Sequence, residues 1–213
     1  MAETLSFPMT DEQRAQLYHW LGGLFLQPLN KERIAAHLSG PGAAFLADLE
    51  HSPAFRPALT VMTQALRVET CERNLSQAFS LLFLGVGGPA TVPPYESAFT
   101  DDNGRLFQRA TRRMEDELRR LDLSVDASCA EPPDHLAVEL MTMAQLIARD
   151  DRAEQARFLD RHLSWISDFT ELCGRRDRSG FYAAAAQLLT AFIETERLVL
   201  NKAGSAILER EIA

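Results

Sequence analysis

The sequence predicts an all-α fold: a single helical-bundle domain of about eight to ten helices. Three observations carry this prediction. Apolar residues recur three and four apart through nearly every segment; no stretch alternates apolar and polar residues long enough to make a strand; glycine and proline cluster only between the periodic segments.

In chain order, Thr10 and Gln13 have capping-box spacing in front of "DEQRAQLYHWLGGLFLQP". Leu17, Leu21, Leu24 and Phe25 then share a face, and Pro28 ends the helix. Helices follow over 31–38, 42–50, 54–69 and 72–85, the last with the stripe Leu75, Phe79, Leu82 and Phe83. The stretch "GVGGPATVPPYESAF" is too rich in glycine and proline for a helix, so Gly85 to Ser97 is a loop. A charged helix fits 104–121, burying Leu106, Phe107, Ala110, Met114 and Leu118. "DLSVDASCAEPP" has no period and reads as a hinge. Helices over 132–149, 151–173 and 179–200 complete the chain, the last burying Phe181, Ala185, Leu188, Leu189 and Phe192. The expected organisation is an N-terminal helical part, 1–121, a hinge, 122–131, and a C-terminal helical part, 132–213.

Composition narrows the functional classes. At 213 residues the chain can bury a substantial core, and its net charge of −8 opposes binding to nucleic acid. Cys71, Cys129 and Cys173 are far apart and lack ligand spacing, as isolated thiols in a reducing compartment would be. "MAETLSFPMTDEQ" lacks the pattern of a secretory signal. The most apolar run, Leu75 to Val92, is broken by Gly85, Gly87, Gly88 and Pro89, so no stable membrane insertion is expected. A cytoplasmic protein is the expectation.

Motifs for nucleotide, serine-hydrolase and zinc-protease chemistry are missing: the chain has no GxxxxGK[ST], GxSxG or HExxH. "GVGG" runs into Pro89 rather than into a helix. The stretch "EPPDHLAVEL", residues 131–140, is the most suggestive. Within a helix, adjacent side chains diverge by about 100°, so Asp134 and His135 do not form a catalytic dyad. His135 and Glu139, four apart, share a helical face and offer two metal ligands, which is too few. An all-α enzyme using His135, Glu139 and Glu131 is therefore the secondary reading. The plain alternative is a helix start, with Pro132 or Pro133 in the first turn and Glu131 and Asp134 near the positive end of the dipole.

Three segments, "FSLLFLGVGGPATVPPYESAFTDD", "AEPPDHLAVELMTMAQL" and "RSGFYAAAAQLLTAFIETE", occur in the order found in the TorD/DmsD family of redox-enzyme maturation chaperones, which the chain resembles from Thr10 to about Glu196. "RAQLYHWLGGLFLQPL" is similar to the family's opening helix, and the motifs are nearest the branch serving trimethylamine N-oxide reductase. The resemblance implies a non-enzymatic chaperone without a cofactor of its own. Its partners would be an apo molybdoenzyme and that enzyme's twin-arginine signal peptide, held until molybdenum cofactor insertion precedes export. The protein would be a monomer or a domain-swapped dimer, with 122–131 as the hinge.

Carried over by motif, the implied client-binding residues are Phe79, Phe83, Pro94, Tyr95, Ser97, Glu131, Pro132, Asp134, His135 and Leu136. Relatives often carry an aspartate where this chain has Ala78. The residues themselves suggest a matching mechanism. Carboxylates of Asp134, Glu131 or Glu96 would meet the peptide's arginines, apolar walls including Phe79, Phe83 and Tyr95 would meet its apolar run, and His135 would tune the charge near neutral pH.

Overall fold

A computed structural model describes residues 9–101, 106–127 and 129–212, with side chains to Asn201. Among these residues the protein is all-helical: α1 (Asp11–Leu26), α2 (Lys31–Leu38), α3 (Gly40–Leu49), α4 (Arg56–Leu66), α5 (Cys71–Phe83), a 3-10 turn (Gly88–Ala90), α6 (Ser97–Thr100), α7 (Arg109–Arg120), α8 (Leu136–Ala148), α9 (Arg152–His162), α10 (Ile166–Arg176) and α11 (Phe181–Ile212). The one β element described is an isolated antiparallel bridge between Tyr95 and His135.

The helices fall into two units, each drawn from separate stretches of chain. Among the described residues, one unit contains 27–93 and 166–195, the other 9–26, 94–165 and 196–212. In the first, α2 packs on α3 and α4, and α4 on α5. Phe79 and Phe83, whose ring centroids are 5.2 Å apart, gather Tyr182 at 5.9 and 5.2 Å, and Phe83 stacks on Phe169 at 6.3 Å. The Tyr182 hydroxyl donates to the Leu75 carbonyl, 3.3 Å away. The motifs "FSLLF" and "SGFYAA" thus meet in one aromatic cluster.

In the second unit α1 packs on α8, and α8 on α9. The capping box forms as expected: the Thr10 N–H donates to Gln13 Oε1 (2.9 Å), and the Gln13 N–H to Thr10 Oγ1 (3.2 Å). Buried Arg14 forks onto both Glu196 oxygens at 2.7 Å and reaches Gln155 Oε1 at 2.9 Å, tying α1 to α9 and α11. A charged side chain survives burial there because each guanidinium nitrogen meets an acceptor, Nη1 donating to Asp11 at 2.7 Å.

Several helix boundaries depart from the sequence reading, α11 running on to Ile212, and three of the departures have a visible cause. The charged helix begins at Arg109; positions 104 and 105 lie outside the described residues. Phe107 adopts a left-handed turn (φ 61°) and is 61% exposed, while the Asp101 carboxylate accepts the Ala110 N–H at 3.0 Å and fixes the helix start. Leu106 and Phe107 therefore do not join the buried side, although Ala110, Met114 and Leu118 do. The helix expected over 151–173 is two, because the Trp165 indole N–H donates to the His162 carbonyl (2.9 Å) and closes α9. The helix expected from 132 starts at Leu136, leaving both prolines outside it.

The loop after α5 justifies one of its glycines sterically: a Cβ on Gly87 would lie 2.1 Å from the Leu81 carbonyl oxygen. Gly180 (φ +75°) makes the left-handed turn into α11. No helix among the described residues is long and apolar enough to cross a membrane.

Candidate recognition site

The two proline-rich motifs meet through their backbones. The Leu136 N–H donates to the Pro94 carbonyl at 2.8 Å, and the Glu96 N–H to the Asp134 carbonyl at 2.9 Å. These two bonds form the Tyr95–His135 bridge and hold residues 94–97 against 134–136. The prolines make this geometry natural, since each favours extended backbone in its predecessor. Side chains lock the register. Asp134 Oδ2 accepts the Ser97 N–H (3.1 Å), the Tyr95 hydroxyl donates to Glu131 Oε2 (2.9 Å), and the Tyr95 and His135 rings meet edge-on with centroids 5.1 Å apart.

His135 caps α8. Its Nδ1 accepts the Ala137 N–H at 3.0 Å, which places the proton of the neutral ring on Nε2. Burial lowers its pKa to about 4, with Glu131 pulling the other way. The ring is therefore neutral at physiological pH, a correction to the expectation that it would tune charge there. Burial, reinforced by Glu131, raises the pKa of the Tyr95 phenol and keeps it a hydrogen-bond donor.

Exposure divides the predicted site residues. Tyr95, Glu131 and Pro132 are part-exposed; Pro94, Ser97, Asp134, His135 and Leu136 are buried. Phe79 and Phe83 are buried too, and belong to the other unit. Glu96 lies beneath the junction, its Oε1 accepting Arg113 at 2.6 Å and its Oε2 lying 3.3 Å from His162 Nδ1. It is 1% exposed, so it is not presented as a surface acid.

Sequence reasoning missed the group around Glu96. One ligand atom each from Glu96, Glu139 and His162 lies within 4.8 Å of the others, a set that could hold a divalent cation by geometry. The Arg113 guanidinium pairs with Glu96. Burial, and then the neighbouring Glu96 charge, raises the pKa of Glu139 well above the carboxylate range. Glu139 Oε2 accepts the Trp165 indole N–H at 3.1 Å, while its Oε1 is buried without a hydrogen-bond partner among the described residues. Burial and a neighbouring negative charge both favour the protonated form of Glu139.

The secondary enzyme reading fails on the same geometry. As the cap of α8, His135 turns to Ala137 and Tyr95, Glu131 turns to Tyr95, and Glu139 turns to Trp165 and Glu96. The three residues do not converge. No spacing rule could have found Glu96–Glu139–His162, whose members are 43 and 23 positions apart.

Known proteins resemble this chain along most of its length. The profile of the family described as nitrate reductase delta subunit matches residues 49–171. The chaperone protein TorD of Aeromonas salmonicida is 34% identical over 208 residues, covering 92% of this chain and 94% of that protein. The chaperone protein TorD of Aliivibrio salmonicida is 31% identical over 202 residues, covering 87% and 94%. Among solved structures, a protein from Archaeoglobus fulgidus described as a redox enzyme maturation protein matches with a TM-score of 0.56 at 20% identity, over 89% of this chain and 98% of its own. At that identity the last match speaks for the fold.

Proposed function

The chain belongs to the TorD family of redox-enzyme maturation chaperones, and from that premise we propose that it binds the twin-arginine signal peptide of an apo molybdoenzyme at the Tyr95–Glu131 junction. It is a chaperone and not an enzyme. The proposed client is a trimethylamine N-oxide reductase, held in the cytoplasm until its molybdenum cofactor is inserted and export through the twin-arginine route begins.

The observation carrying this reading is the junction itself. Two motifs 36 positions apart are clamped by paired backbone bonds and present Tyr95, Glu131 and Pro132 at the surface. A carboxylate beside an aromatic ring suits an arginine: the guanidinium forks onto the carboxylate and stacks on the ring. In this reading Pro94, Ser97, Asp134, His135 and Leu136 act by holding the junction in shape, and Phe79 and Phe83 by fixing α5. Exchange of the C-terminal helices between copies, with 122–131 as the hinge, belongs to the same proposal.

Isothermal titration tests it with a twin-arginine peptide and a copy in which both arginines are alanine. The native peptide should bind more tightly, and Glu131→Gln should cost it roughly tenfold, on the order of 1.4 kcal/mol. Circular dichroism should stay native, because Glu131 is part-exposed. Equal affinity for both peptides would remove the junction's assigned role.

A further inference from the structure

The unit containing α5 and α10 carries a cleft of about 510 Å³. Ala78, Leu81 and Leu82 of α5 line it together with Ala90, Arg176 at the end of α10 and Arg178 in the turn before α11. Leu81 is 42% exposed, and exposed apolar side chains follow along the chain at Leu84 (57%) and Val86 (67%). A volume of this size accepts several side chains of a partner.

The charge at the cleft is opposite to that of the whole protein. Arg176 and Arg178 are exposed and make no hydrogen bond or ion pair among the described residues. Their neighbour Arg175 is neutralised by Glu171. Asp177 also lines the cleft, but its carboxylate is committed to the start of α11: Oδ1 accepts the Ser179 N–H (2.8 Å) and hydroxyl (2.7 Å), and Oδ2 accepts the Ala183 N–H (2.9 Å). Beside the polar Asn74, Gln77 and Ser179, the cleft thus presents an apolar wall and two guanidinium groups against one carboxylate, that of Asp177, already turned to its own helix start. A twin-arginine peptide has the wrong sign for this place.

We propose that the cleft docks an acidic amphipathic polypeptide segment of the client, with leucine-like side chains against Leu81, Leu82 and Ala78 and carboxylates on Arg176 and Arg178. The inference rests on the reading of the chain as a polypeptide-binding chaperone, but it uses different residues and a ligand of opposite charge. A cleft of about 510 Å³ is larger than a small carboxylate would fill, which favours a peptide.

The test is isothermal titration of the full chain with a peptide of repeating leucine and glutamate, the same peptide with lysine for glutamate, and octanoate. The acidic peptide should bind the native protein, lose at least tenfold in affinity to the Arg176→Glu/Arg178→Glu variant, and lose severalfold to Leu81→Ser. The lysine peptide should not bind the native cleft more tightly than the acidic one. No binding of the acidic peptide, or equal binding to the native and doubly substituted proteins, overturns the proposal. So does octanoate binding as tightly as the peptide, which would make the occupant a small carboxylate. Titrating the twin-arginine peptide into the doubly substituted protein separates the two sites: unchanged affinity leaves the Tyr95–Glu131 reading standing whatever the cleft does.

Discussion

His135 shows how much a single side chain contributes here without chemistry of its own. It supplies the cap of α8, an edge against Tyr95 and a bridge partner for the preceding loop. Its pKa falls from an ordinary 6.5 to about 4 in the folded protein, chiefly through burial. Between those values the unfolded chain binds more protons than the folded one, so stability rises with pH across the window and is lost on acidification from about 6.5 to about 4. His135→Asn keeps a cap acceptor and removes the titration. Thermal melts from about pH 7 to 4 should show the native protein losing up to about 3 kcal/mol that the variant keeps. Parallel melting curves would contradict this account of the ring.

The helix starts and stops that were legible in the sequence are those made by neighbours in the chain. Thr10 and Gln13 cap α1 as their spacing requires, and α2 covers the predicted residues. Boundaries set by distant residues were not legible. The Asp101 carboxylate starts α7 nine residues away, and the loop at Pro94 holds residues 134–136 extended so that α8 starts late; the stop of α9 is local, but it is made by the Trp165 indole rather than by a glycine or proline. The end of α7 offers a test at this scale. The Leu123 N–H reaches back to the Leu118 carbonyl (2.9 Å), and Asp122 takes the left-handed conformation (φ 52°) that glycine adopts without strain. Asp122→Gly should raise stability by about 1 kcal/mol, read as a higher urea midpoint with an unchanged slope.

At the scale of the whole molecule, the net charge of −8 was readable from composition, and it favours encounter with a basic peptide. Association of the twin-arginine peptide should weaken severalfold as salt rises from about 50 to about 500 mM, while the acidic peptide at Arg176 and Arg178 also loses affinity to screening. Stopped-flow rates at three salt concentrations measure the first effect; a salt-independent rate would assign the charge to solubility alone.

The sequence by itself determined the helical class, the apolar face of each helix, the capping box and, through three ordered motifs, the family. Those are properties of residues a few positions apart, where periodicity and backbone preference act directly. Tertiary structure alone decided that 94–97 pairs with 134–136, that Asp134 and His135 are buried while Tyr95 and Glu131 stay part-exposed, and that Glu96, Glu139 and His162 share one buried site. It also decided that each unit draws on separate stretches of chain. The physical reason is that burial and pairing are settled by which distant surfaces exclude water together. A carboxylate reads the same in sequence whether it ends at the surface or beneath a tryptophan.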